Sequence, residues 1–406
     1  MSRCVVCEGE CVEQFLDLGL TALANKFLTG DELAGPEPTF PLRIGFCHDC
    51  AHVQLMEHVP PSAMFTDYLY LSSASRTLAG HLLELSDVVM QRRGLRAADL
   101  VIDIGCNDGT LLDAFRRYGV RTLGVDPAEN LAQRAGASGP ERYVGFFTSV
   151  TAREIVARWS QACVITATNT FPHIPQLRDF IEGIKTALAP DGVFVIEAHY
   201  LVDMLKQVAF DTIYHEHVSY WALGPMVRLF EQAGLQVVDA ERLPVHHGQL
   251  RVFVQHQGRG QASPSVRAIL EAERAQGLDR FETFQRFASR TLELKASLQE
   301  RLEALRAQGK RVAGYGAPAK GNTLLSFLEL DSRSIEYIAD RSPLKQGRYT
   351  PGRHIPVVAP ERLLEDQPDY VLLLAWNFLD EILEQQAAYR QRGGRFIVPV
   401  PEVTVV

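Results

Sequence analysis

The chain has 406 residues, 46% of them hydrophobic and 22% charged, with a formal net charge of −8. That length exceeds one hydrophobic core and leaves room for two or three domains. The acidic balance and the lack of a Lys/Arg block exclude a nucleic-acid binder that works through a basic face. No run approaches the roughly 20 apolar residues that cross a bilayer, so no membrane contact is expected. The opening MSRCVVCEGE lacks a secretory leader's charged start and apolar centre. Seven cysteines, four of them in two CxxC pairs, suit metal binding in a reducing compartment better than disulfides, and a cytoplasmic location is expected.

Residues 1–75 carry both pairs, Cys4 with Cys7 and Cys47 with Cys50, among short apolar alternations and many turn residues. Long regular helices are not evident, and a core this thin calls for a staple. Four thiolates satisfy tetrahedral zinc and leave no position for water, which makes the expected site structural. Cys11, His48 or His52 are alternative ligands. Cys106 and Cys163 are expected only to fill space.

Residues 76–260 alternate strand-like runs (100–104, 122–125, 164–167, 193–197, 235–238 and 250–254) with helical stretches, which implies a parallel α/β sheet. The last two runs, joined by a turn at 243–248, predict an antiparallel hairpin at the sheet edge. Such an ending marks a class I methyltransferase sheet of Rossmann-like form. Residues 261–406 open with a long helical stretch over 264–308 and continue as a second Rossmann-like α/β domain: strands at 311–314, 335–339, 370–375 and 395–398, with a helix after Pro318.

The densest signal is VIDIGCNDGTLL at 101–112. A buried strand ends in Asp103, and a turn with Gly105, Asn107, Asp108 and Gly109 opens a helix. Glycine lets backbone approach a ligand closely, and ligands bind beyond the carboxyl ends of such strands. The next strand ends in Asp126, placed to accept both hydrogens of a ribose diol. The pattern is not the G-x-G-x-x-G fingerprint that aims a helix at a pyrophosphate. Acids around the turn repel phosphate and suit an amine and a sulfonium, so S-adenosylmethionine is expected rather than NAD. Phe146 and Phe147 are candidates for packing on adenine, with ordinary core packing as the alternative. Asn169, in TNTF at 168–171, ends the fourth strand, where the transferred methyl faces its acceptor.

The segment YHEHVSYW at 214–221 concentrates titratable and aromatic groups on the acceptor side. A histidine there can abstract a proton with Glu216 or Tyr214 orienting it. The alternative is a half-buried polar cluster that caps a helix. Transfer from a sulfonium needs little acid–base help unless the acceptor is carbon, so a site rich in His, Glu and Tyr hints at carbon methylation.

Taken together, CxxC…CxxC, DIGCNDGTLL, YHEHVSYW and GYGAPAKGNTLL at 314–325 resemble, over nearly the whole chain, the sugar C-methyltransferases that act on nucleotide-linked 4-keto-6-deoxysugars. The resemblance implies that His217 removes the C3 proton, that the C4 ketone holds the enolate charge, and that methyl then passes to C3. It implies that Tyr214, Glu216, His173 and Tyr68 line the active site, with Tyr70 competing for the role given to Tyr68. The carboxy-terminal domain is then a nucleotide-sugar binder through Tyr315, Lys320 and Asn322, on a thymidine or guanosine diphosphate. A purely structural turn and a second cofactor site, with Asp340 as a ribose acid, are the alternatives there. Rival functions are O- or N-methylation of a small molecule, an NAD-dependent sugar oxidoreductase or epimerase, and a non-catalytic zinc-stapled binding protein. A monomer or small homo-oligomer is expected.

Overall fold

A computed structural model describes residues 3–135, 139–245 and 248–406. His246 and His247 of the expected hairpin turn lie outside the described residues. In chain order the strands are β1 (Val12–Ala22), β2 (Thr39–Cys47), β3 (Val53–Leu55), β4 (Leu100–Ile104), β5 (Arg121–Asp126), β6 (Glu141–Val144), β7 (Ala162–Thr168), β8 (Leu188–His199), β9 (Ser219–Tyr220), β10 (Leu235–Leu243) and β11 (Gln249–His256). After them come β12 (Val312–Tyr315), β13 (Ile338–Ala339), β14 (Val357–Val358), β15 (Tyr370–Leu373), β16 (Arg395–Val398) and β17 (Thr404–Val405).

The central sheet runs β10-β11-β8-β7-β4-β5-β6, parallel from β8 to β6, with β11 antiparallel to both β8 and β10. This is a class I methyltransferase sheet closed by the expected hairpin. The buried faces explain the apolar runs: all five residues of β4 are buried, and in β8 burial is continuous from Gly192 to Ala198. The helix Arg76–Arg93 packs on one face through Leu78, Leu82, Leu85 and Val89, starting at a Ser75 cap that accepts the Leu78 N–H.

The last sheet runs β14-β13-β12-β15-β16-β17, parallel except for β17. Its order is that of a doubly wound nucleotide fold. In both large sheets the chain reverses direction at the first strand, between β4 and β7 and between β12 and β15. Each reversal opens a crevice at the strands' carboxyl ends.

Two elements depart from expectation. The amino-terminal module is built on an eleven-residue strand, β1, that the sequence hides. Register shifts break its alternation, and Gly19 takes a φ of +83° inside it. The stretch expected as one helix is two, Pro264–Ala275 and Phe281–Ala307, because Gly277 at φ +70° ends the first in the left-handed conformation. The four-stranded module sheet, β1-β2-β3-β9, takes its last strand from the YHEHVSYW segment, so this segment bridges the module and the central sheet.

Candidate active site

The four predicted thiols converge. Cys4 Sγ lies 3.5 Å from Cys50 Sγ and Cys7 Sγ 3.6 Å from Cys47 Sγ, and all four sulfurs fall within 4.8 Å of one another. Sulfurs around tetrahedral zinc, each about 2.3 Å from the metal, are spaced about 3.8 Å apart. The donor set therefore fits zinc. The alternative ligands are engaged elsewhere: His48 pairs with Glu13, His52 is buried against Ser219, and Cys11 is exposed.

A cavity of about 850 Å³ joins the two crevices. Asp103, Gly105, Asn107, Asp126, Phe146, Phe147 and Asn169 line its central-sheet side, as expected of a cofactor site. Asp103 is buried and accepts the Thr166 hydroxyl at 2.7 Å; burial pushes its carboxyl up to about 7. Asp126 accepts the Asn107 and Ala128 N–H groups at 2.8 and 2.9 Å, which fixes the carboxylate at the rim. Gly105, at φ +74°, leaves no room for a side chain, since a Cβ would stand 2.0 Å from Thr170 Oγ1. Asn169, at φ +56°, accepts Gln249 Nε2 at 2.7 Å.

Asp108 and Gly109 do not line the cavity. Asp108 Oδ1 accepts from Thr110 at the start of its helix, and Oδ2 accepts the Ser73 N–H. Gly109 faces Arg142 and Pro140, so its role is a left-handed turn against packed neighbours. Asn107 holds the strap at 70–72 with its side chain, accepting from Ser72 N and donating to the Tyr70 carbonyl.

On the acceptor side, residues 214–217 form a tight turn closed by His217 N–H to the Tyr214 carbonyl at 2.9 Å. The turn brings the Tyr214 and His217 rings to 4.0 Å, with His173 and His199 at 5.2 and 5.4 Å from His217. All four rings line the cavity. His217 Nδ1 sits 2.7 Å from the Thr212 carbonyl. A carbonyl only accepts, so Nδ1 carries the proton and Nε2 keeps its lone pair. Burial, then neighbouring His173, holds the His217 pKa down at about 3, and the imidazole is neutral at physiological pH.

Of the two groups expected to orient this histidine, Tyr214 lies against its ring and Glu216 bonds elsewhere. Glu216 is buried and accepts Asn25 Nδ2 at 2.7 Å and the Tyr68 hydroxyl at 2.9 Å. Burial raises its carboxyl to about 7. Tyr68 and Tyr70 both line the cavity, and Tyr68 is the one tied to Glu216. His215 points away to the Pro41 carbonyl.

Tyr315 and Lys320 enter the cavity from the last sheet. The Lys320 ammonium stands 3.8 Å over the Trp376 ring, and burial lowers its pKa to about 8. Asn322 does not reach the cavity; its Nδ2 donates to the Ala24 carbonyl at 2.6 Å and ties the amino-terminal module to the last sheet. Sequence reasoning missed Asn25, His199, Thr212 and Lys345, which also line the cavity. His199 had a signal, since it ends strand β8 beside the site. The others had none, because tertiary packing alone brings them there. Asp340, considered only as part of an NAD site, accepts Ala317 N–H and Ser342 N–H, the pattern that Asp126 shows with Asn107 and Ala128.

Three family models cover the chain: "Putative zinc binding domain" over residues 4–65, "Methyltransferase domain" over 70–240 and "C-methyltransferase C-terminal domain" over 244–401. C-methyltransferase NovU of Streptomyces niveus is 39% identical over 407 residues, covering 100% of this chain and 97% of its own. A ubiquinone biosynthesis O-methyltransferase of Methylobacterium sp. (strain 4-46) is 24% identical over 162 residues, 36% of this chain and 63% of its own. A solved S-adenosylmethionine-dependent methyltransferase of Clostridium acetobutylicum overlaps 44% of this chain and 91% of its own at 13% identity, with a TM-score of 0.36. With the full-length relative, the three matching models, the cofactor crevice and the thiol cluster in agreement, the chain belongs to the zinc-containing, S-adenosylmethionine-dependent C-methyltransferases.

Proposed function

We propose that the enzyme methylates C3 of a nucleotide-diphosphate-linked 4-keto-6-deoxysugar, with His217 as the base that forms the enolate. One observation carries this reading: a histidine whose Nδ1–H is held on a backbone carbonyl, leaving Nε2 as its basic nitrogen, lines the same cavity as the cofactor crevice and the half-buried Lys320. A methyl transfer to oxygen or nitrogen has less need of such a base.

The cofactor, when bound, supplies an electrophilic methyl on a sulfonium whose departure leaves a neutral thioether. Asp126 would hold its ribose, and Asp103 and the backbone at Gly105 would face its amino-acid end. His217 Nε2 takes the C3 proton, while Nδ1–H stays on the Thr212 carbonyl and keeps the ring from turning. As Nε2 gains the proton, the imidazolium is held by that carbonyl and by the π face of Tyr214. Tyr68, with Glu216 as its acceptor, lines the same cavity and would offer its hydroxyl to the sugar. Lys320 and the backbone at Gly316 would meet the diphosphate, with Asp340 and Tyr315 beside the nucleoside.

Deuterium wash-in tests the chemistry apart from transfer. In heavy water with a thymidine-diphospho-4-keto-6-deoxyhexose, the enzyme should exchange the C3 hydrogen, and His217→Asn should not. Exchange and methylation that persist at the wild-type rate in His217→Asn would overturn the base role.

A further inference from the structure

The carbonyl that sets the His217 tautomer belongs to a one-turn helix, Phe210–Thr212, whose side chains Phe210 and Asp211 reach the last domain. Asp211, fully buried, accepts Trp376 Nε1–H at 2.6 Å. Trp376 follows β15 at the reversal of the last sheet, and its neighbours Ala375 and Asn377 line the cavity. Lys320 sits over the face of the indole, and its charge draws down the Asp211 carboxyl that burial raises. Phe210 packs on Phe327, 5.2 Å between ring centres, at the end of the helix that carries Lys320. A buried carboxylate is a poor stability device, because an apolar residue of similar volume often serves as well. What a carboxylate adds here is direction: one indole N–H fixes the side chain adjacent to the Thr212 carbonyl.

We propose that Asp211 and Trp376 are positioning residues, whose hydrogen bond lets the nucleotide-sugar side of the cavity set the tautomer and orientation of His217. The inference rests on the reading of His217 as the base. It implies that the two crevices are coupled through Lys320, Trp376, Asp211 and Thr212, in that order, and that the base is correctly aimed only when the two sheets are docked.

The test uses the zinc-loaded full chain. Trp376→Phe keeps a ring under Lys320 but removes the N–H donor; Asp211→Asn keeps an acceptor; Asp211→Leu removes it. With the thymidine-diphospho-4-keto-6-deoxyhexose as probe, W376F and D211L should lower kcat by about tenfold and leave KM within about twofold, while D211N keeps at least about half the rate. In histidine-¹⁵N-labelled protein, W376F or D211L should shift the His217 signal away from the Nδ1–H tautomer, a change that loss of stability alone does not cause. D211L carries the same expectation should W376F not fold. Wild-type kcat with the Nδ1–H signature intact in these variants would overturn the proposal, as would a loss confined to KM. A wild-type enzyme that neither exchanges nor methylates the probe would instead sink the base reading, and the nitrogen signal would still report whether Asp211 and Trp376 fix the ring.

Discussion

At the scale of single residues, the site depends on which atoms of His217 are engaged. The Thr212 carbonyl consumes Nδ1–H, so Nε2 is the basic atom that His217 keeps. Replacing His217 by Asn removes that base while filling similar space, and C-methylation should fall by at least about 100-fold, the usual contribution of a positioned base. Product formation measured at saturating cofactor checks this. The pH profile follows from the sign of the shift. A base acts when unprotonated, and the His217 value of about 3 lies below the ordinary 6.5, so the imidazole stays competent well below neutral pH. In Glu216→Gln, which removes the neighbouring carboxyl whose pKa is about 7, kcat at saturating cofactor and sugar, with Asp103 and Lys320 already engaged, should stay level from about pH 8 to about pH 6. An acid limb centred near 6.5 in that variant would contradict the account.

Residue roles were legible where the covalent pattern itself carries the chemistry. The Cys4, Cys7, Cys47 and Cys50 spacing predicts a four-sulfur site, and the sulfurs converge. Asp103 and Asp126 sit at strand ends, where sequence order alone places them over a crevice. Glu216 and Asp108 were misjudged for one reason: a carboxylate's target depends on the turn around it, and both acids bind partners that folding brings near, Tyr68 with Asn25 and Ser73. Trp376 gave no signal at all, since its meaning depends on an acid 165 residues away in sequence.

At the scale of elements, the cofactor loop shows why glycine is required at one position and incidental at another. Gly105 combines a left-handed backbone with a neighbour at 2.0 Å from any added Cβ. Gly105→Ala should force Thr170 and the loop apart and weaken cofactor binding by about tenfold or more, roughly 1.4 kcal/mol, in a calorimetric titration. An unchanged affinity would show that the loop does not approach the ligand. The central parallel strands β4, β7 and β8 were legible because they are buried and read as apolar runs, whereas the half-exposed edge strand β6 was not. Strand β1 was not, since its register shifts break the period of two on which the eye relies. The break at Gly277 was equally hidden, because a helical pattern continues on both sides of it.

At the scale of the molecule, three parts share one cavity, and its walls come from each of them. Asn25 of the zinc module reaches Glu216, Asn322 of the last sheet reaches Ala24 of the module, and β9 closes the module's sheet immediately after the base. Zinc therefore stabilises the wall that holds His217 as well as its own module. One zinc per chain is expected by elemental analysis. Stripping it with a chelator should lower the melting temperature and the methylation rate together, by about tenfold or more in rate. Full activity after removal would mean that the module folds around its thiols unaided. No helix among the described residues is long and apolar enough to cross a membrane.

The most direct test of the central claim incubates the enzyme with S-adenosylmethionine and a thymidine-diphospho-4-keto-6-deoxyhexose and reads the product by mass and carbon NMR. The account predicts a gain of one methylene unit with the new methyl bonded to C3. A methyl on oxygen or nitrogen, or no gain while the cofactor still binds, would contradict carbon methylation of this sugar.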